Sequence, residues 1–166
     1  MHSIQAHFDR FEDLSFYDVL NGTGVYVIWD SQAKAVPSYL GQGDLLSRLS
    51  KHADDYAFPV RGYVSVHGYD RSAATRNEAI IVEALLLEVA AHTDRWPKHN
   101  ARVGHIEKVA KFAELNSLIR MSVTGCDPFA PPNHPRHING SKRIAYSTGI
   151  EDSIEYDWSS RKKLRL

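Results

Sequence analysis

Two tyrosines, an arginine and a histidine are gathered between residues 26 and 52. Tyr26 closes the triplet GVY at 24–26, and Tyr39 opens the triplet YLG at 39–41. Arg48 and His52 follow in RLSKH. A hydrophobic core has no use for two phenol oxygens, a guanidinium and an imidazole together. A site that handles a phosphate can use all four. Residues four apart on a helix share one face with Cβ atoms about 5–6 Å apart, so Arg48 and His52 pair if that segment is helical. The two tyrosines can lie side by side if their triplets form a hairpin. Further along, Glu83 lies in a long apolar stretch and Asn100 follows a proline beyond its end.

The elements that would position these groups are legible in the spacing. VYVIWD and SYLG are β-branched or aromatic runs joined by a polar loop with Pro37, which reads as a hairpin. GDLLSRLSKHADDY carries leucines at 45, 46 and 49 and an Asp44 able to cap it, so it reads as a helix. VRGYVSVHGYD alternates as a third strand, and TRNEAIIVEALLLEVAAH opens with Thr75 and Glu78 at capping-box spacing. Residues 8–20, FDRFEDLSFYDVL, have apolar positions at helical spacing, as does GHIEKVAKFAELNSLIR at 104–120. CDPFAPPNHPRHINGSK is a Pro-rich polar loop, RIAYSTGI an added edge strand and SSRKKLRL a basic tail. The order implies an α+β fold. The expected domain covers 1–120 with an N-terminal helix, and 121–166 form an extension packed on it or trailing from it.

With 166 residues, 43% of them hydrophobic and 24% charged, the chain is expected to form one globular unit. No apolar run approaches the roughly 18 residues of a membrane span. The N-terminal stretch lacks the basic and apolar regions of a signal peptide, and the lone Cys126 suits a reducing compartment, so a cytoplasmic location is expected. Lys plus Arg and Asp plus Glu both total 20, but the charge is unevenly spread. Residues 1–60 hold four Lys/Arg against eight Asp/Glu, whereas residues 95–143 hold nine against three. A basic face on a neutral protein attracts a polyanion. Charge alone fits a solvated helix face equally well.

The triplets and the segments behind them resemble the successive motifs of the GIY-YIG nuclease superfamily. GVY at 24–26, YLG at 39–41, RLSKH at 48–52, TRNEAIIVEALLL at 75–87 and PKHN at 97–100 occur in that family's order over residues 22–100. The resemblance implies a small three-stranded antiparallel sheet flanked by helices, here with a C-terminal helical and loop extension. It also implies metal-dependent hydrolysis of phosphodiesters. Carried over by position, the catalytic set is Tyr26, Tyr39, Arg48, His52, Glu83 and Asn100, with Glu83 holding one Mg²⁺ or Mn²⁺.

These residue types suit those roles. A tyrosine with a pKa near 10 needs a partner such as His52 to take or share its proton. Arg48 can grip two phosphate oxygens and stabilise the added charge of the pentacoordinate state. A glutamate is a hard oxygen ligand, and one carboxylate with several waters suits Mg²⁺. The chain also departs from the family. Tyr26 and Tyr39 are 13 residues apart, a longer hairpin than usual, and Gln42 stands where some members carry lysine. Counting back twelve from Asn100 selects Glu88 instead of Glu83, and five residues turn a helix by about 140°, so the two cannot face one metal. The residues flanking Glu83 match the family on both sides, which favours it.

Each group also has a plain structural reading: half-buried strand tyrosines, a surface Arg/His pair, glutamates on a solvated face and turn chemistry at Asn100. His134 and His137 near Cys126 lack the paired spacing of a zinc site. The leading expectation is an endonuclease acting on DNA, with Lys98, Arg102, Lys108 and Lys111 on phosphates and with dimerisation or a partner protein supplying specificity. The alternatives are a nuclease acting on RNA and a catalytically silent module that binds nucleic acid or protein.

Overall fold

The computed structural model describes residues 2–11, 22–30, 33, 35–54, 62–67, 76–101, 118–148 and 152–156. They form a mixed α+β arrangement of two helices and a seven-stranded sheet. In chain order the elements are β1 (His2–Phe11), β2 (Thr23–Asp30), β3 (Tyr39–Asp44), α1 (Leu45–Asp54), β4 (Gly62–His67), α2 (Arg76–His92), β5 (Leu118–Gly125), β6 (Lys142–Thr148) and β7 (Asp152–Tyr156). Across the sheet the order is β3-β2-β4-β1-β5-β6-β7. The expected three antiparallel strands are present as β3-β2-β4. They are less than half of the sheet, because β1 continues it beyond β4 and pairs in parallel with β5.

This β1–β5 pairing corrects the expectation at both ends of the chain. Residues 8–11 belong to β1 and are not helical. Ile4, Ala6 and Phe8 are buried while Ser3, Gln5 and His7 are exposed, a strand period that starts before the helix-like spacing at residue 8. Residues 12–20 of that expected helix lie outside the described residues. At the other end, 118–120 are strand, with Ile119, Met121 and Val123 alternating into the core. The rest of the helix expected at 104–120 lies outside the description, as do Thr75 of the capping box, Arg102, Lys108, Lys111 and the basic tail. The strand expected at RIAYSTGI exists as β6, but it is interior, because β7 pairs along its outer side. β5 runs through residue 120, and residues 118–148 supply Ile119, Met121, Val123, Phe129, Ile144 and Tyr146 to the main core. Residues 118–148 are therefore sheet and loop that share one interior with the N-terminal strands.

The two faces of the sheet are covered differently. On one, Leu40, Val27, Phe8, Met121 and Ile144 join the apolar residues of α2 in a continuous core. The Pro-rich loop plugs the same side. Trp29 Nε1 donates to Pro128 O at 2.9 Å, Arg10 Nη2 donates to Ala130 O at 2.6 Å, and Phe129 is buried among the core side chains. On the opposite face α1 lies over β2 and β3, burying Leu45 and Leu49 with Tyr26 and Ile28. Asp44 caps α1 through Oδ1, which accepts from Ser47 N at 2.8 Å. None of the helices among the described residues is long and apolar enough to cross a membrane.

Because β5 completes the core, Met121→Ala is expected to cost about 2–5 kcal/mol by urea denaturation. Val123→Ala should cost less and lower the same single transition. Two separate transitions would show that the C-terminal strands fold apart from the rest.

Candidate active site

In the β2–β3 register Tyr26 stands opposite Gly41, and Tyr39 stands opposite Ile28. The tyrosines are therefore diagonal neighbours on one face, with ring centroids 6.1 Å apart and planes 28° from parallel. Gly41 makes this possible. A Cβ there would lie 2.6 Å from Tyr39 Cε1 and 2.7 Å from Tyr26 Oη, inside any real contact, so only glycine leaves room for both rings. The glycine of the YLG triplet is a steric requirement of the two tyrosines.

α1 brings His52 over this pair. Its Nε2 lies 2.9 Å from Tyr26 Oη, a hydrogen bond that orients the imidazole. The His52 ring sits 4.8 Å from the Tyr39 centroid and 5.5 Å from that of Tyr26. Arg48, one turn earlier, is exposed, and its Nε donates to Gln42 O at 3.4 Å. Gly43 (φ 133°) would meet the Arg48 side chain at 3.4 Å if it carried a Cβ, so the guanidinium stem crosses the β3 backbone. The expected positions of Tyr26, Tyr39, Arg48 and His52 thus converge.

The phenols are weak acids here. Burial raises the Tyr26 pKa far above its usual value, helped by Tyr39 and Glu83 and opposed by Arg48. Burial also raises Tyr39, with Glu83 adding and Arg48 opposing. Both phenols feel Arg48 and Glu83, so the α2 carboxylate belongs to the same electrostatic neighbourhood. Glu83 is buried at 8% exposure. Glu88 faces elsewhere, with Oε2 3.6 Å from His92 Nε2. A hard carboxylate at Glu83 with waters fits the ligand set that Mg²⁺ accepts. Among the described residues no cluster of three or more His, Cys, Asp or Glu side chains gathers into an all-protein metal cage. Cys126 Sγ lies 4.0 Å from His137 Nε2.

Asn100 does not reach toward the phenols. Its Oδ1 accepts from Leu40 N at 2.9 Å, and its Nδ2 donates to Leu40 O at 2.7 Å. The amide thus acts as a strand partner for β3, which is the sheet edge. Two more backbone bonds seat the same segment: Lys98 N donates to Pro37 O and His99 N to Ser38 O, at 2.9 and 3.0 Å. Asn100 thus pins β3 at Leu40, the residue next to Tyr39. Trp96, which the motif reading passed over, donates from Nε1 to Asn100 O at 2.9 Å and fixes the clamp. Its only signal in the sequence is an indole donor beside PKHN. Of the expected phosphate contacts, Lys98 is exposed on this clamp.

Comparison with protein-family models, with curated proteins and with solved structures finds no match. Asn100→Ala leaves the Leu40 N–H and C=O without these partners and is expected to cost about 1–3 kcal/mol in urea unfolding. Hydrogen exchange should speed up at Leu40 before it does in β2. Equal exchange at both positions would show that the clamp does not hold the edge.

Proposed function

We propose that the protein is a metal-dependent endonuclease of the GIY-YIG type, hydrolysing phosphodiester bonds in DNA. The observation that carries this reading is the convergence of Tyr26, Tyr39 and His52 around a 2.9 Å phenol–imidazole hydrogen bond. Arg48 stands one helical turn away, and Glu83 acts on both phenols. A packing solution would not require so many polar groups at one sheet edge.

The raised phenols set the direction of proton flow. Neither tyrosine stands as a phenolate at neutral pH, and His52, bonded to Tyr26, is the group assigned to take the proton of the attacking water. Tyr26 is fully buried and orients that imidazole, while half-buried Tyr39 is the phenol open to a phosphate. Arg48 is exposed, always charged and able to hold two phosphate oxygens as negative charge accumulates. Glu83 would hold a divalent cation, which when bound supplies charge stabilisation for the departing 3′ oxygen. A cytoplasmic location belongs to the same proposal.

Supercoiled DNA, single-stranded DNA and RNA incubated with Mg²⁺, Mn²⁺ or EDTA test the activity. Cutting should require the metal, favour DNA, disappear in Glu83→Gln and persist in Glu88→Gln. Arg48→Ala should lower kcat by about 10²–10³-fold. Metal-dependent cutting that survives Glu83→Gln would remove the carboxylate from the site, and folded protein that cuts nothing would sink the reading.

The pH profile is a separate check. Because both phenol pKa values are raised, no fall from tyrosine ionisation should appear below about pH 10. The contribution of the two phenols to folding stability should be flat to that pH and then decline, since unfolded tyrosines ionise there while the buried ones stay protonated. A descending limb near neutrality that Tyr39→Phe removes would mean that a phenol titrates in the working range.

A further inference from the structure

The flank of α1 that begins at His52 carries a second cation beyond Arg48. At about 100° per residue, His52 stands about 40° to one side of Arg48 and Lys51 about 60° to the other. Leu45 and Leu49 lie past His52 and are buried. Passing around the helix from the interior, the order is therefore Leu49, Leu45, His52, Arg48 and Lys51. Exposure follows that order, with His52 intermediate and Arg48 and Lys51 exposed. Side chains three apart on a helix have Cβ atoms about 5–6 Å apart, so Arg48 and Lys51 are neighbouring charges. Leu46 and Ser47, the other exposed residues described on α1, are uncharged.

A third cation lies on the outer edge of the sheet. Lys98 is exposed, and its backbone N–H donates to Pro37 O at 2.9 Å, just ahead of Tyr39. Past Tyr39 in the other direction, Arg48 Nε donates to Gln42 O and the arginine stem approaches Gly43. The half-buried Tyr39 phenol therefore has a cation on either side of it along β3. From Pro37 to Gly43 the chain spans about 20 Å at roughly 3.3 Å per residue, room for several nucleotides at about 3.4 Å each. The acids closest to this rim are Asp44, whose Oδ1 is taken by Ser47 N, and Asp30 at the end of β2. Among the described residues no carboxylate pairs with Arg48, Lys51 or Lys98.

We infer that the DNA strand to be cut runs along the β3 rim, with Lys51 and Lys98 on the phosphates either side of the scissile one. The inference rests on the phosphodiester-cleaving reading above. Cations set along one rim repel each other, and a polyanion that spans them relieves that cost. The division of labour follows from the side chains. The planar fork of Arg48 suits the phosphate that reacts, because it fixes two oxygens at once. A lysine ammonium is a point charge on a flexible stem, which holds a phosphate without fixing its orientation. Lys51 and Lys98 are therefore positioning residues. Contacts of this kind set the register of a strand and carry no sequence information.

Lys142 on β6 provides a control. In the sheet order β6 is five strands from β3, roughly 24 Å and well beyond the Debye length of about 8 Å at physiological salt. Binding of a duplex DNA oligonucleotide would be followed by fluorescence anisotropy in EDTA over a salt series, and cleavage by initial rates in Mg²⁺. Lys51→Gln and Lys98→Gln should each reduce the log–log salt slope by about one unit, and the double variant by about two. In cleavage they should raise KM and leave kcat within about twofold, as contacts away from the reacting atoms do. Lys142→Gln should change neither. An unchanged slope in the double variant, with DNA bound by the parent protein, overturns the rim alone. A fall in kcat without a rise in KM overturns the flanking-phosphate role, and an equal effect of Lys142→Gln overturns the placement. A parent protein that binds DNA without cutting it, its slope still set by the two lysines, keeps the rim and loses the chemistry. Folded parent protein that binds no DNA overturns the cleavage reading, and the rim with it.

Discussion

The pairing of β2 with the edge strand β3 is the constraint on which the candidate site depends. That register sets Tyr26 over Gly41, and the missing side chain of Gly41 is what admits both aromatic rings. A slip of one residue would turn Tyr39 to the opposite side of the sheet and put Leu40 in its place. Edge strands are weakly held, and this one is held from outside by the Asn100 amide on both backbone groups of Leu40. The clamp, the glycine and the two phenols are one mechanical unit. His52 then closes it through the Tyr26 hydroxyl.

Two further constraints act on the same place. α1 must start immediately after β3 for Arg48 and His52 to fall above the tyrosines, and the Asp44 cap stops the strand and starts the helix at adjacent residues. α2 must be buried nearly all round, which is why ten of its residues are buried and why a glutamate among them is conspicuous. A buried carboxylate is costly to hold charged unless its surroundings compensate it, so Glu83 in an otherwise apolar run calls for a reason beyond packing.

The half of the sheet that carries the candidate site was legible because its elements are local. The hairpin, the capped helix and the long α2 each announce themselves within about 20 residues, and the GVY and YLG triplets already place the tyrosines on neighbouring strands. The choice between Glu83 and Glu88 was also open to sequence argument, since 140° of helix separates them. Their surroundings differ as that angle requires, one acting on the phenols and the other beside His92. Asn100 stood out in the sequence as a polar residue after a proline, but not as an edge-strand clamp, because its partner is a backbone 60 residues away.

What the sequence determined by itself was the local grammar: strand-turn-strand, Asp44 before a helix, a long apolar helix and the polar residues that those elements carry. What only the tertiary structure decided was the extent of the sheet. β1 and β5 are parallel neighbours separated by more than 100 residues, and their alternating patterns are short enough to be read as helix ends at 8–11 and 118–120. Parallel strands have no turn between them to mark the pairing, so nothing local in HSIQAHF or LIRMSVTG points to the other. Each buries its apolar side only once the other is present, and that mutual burial, a non-local hydrophobic effect, overrides the helical spacing at both ends.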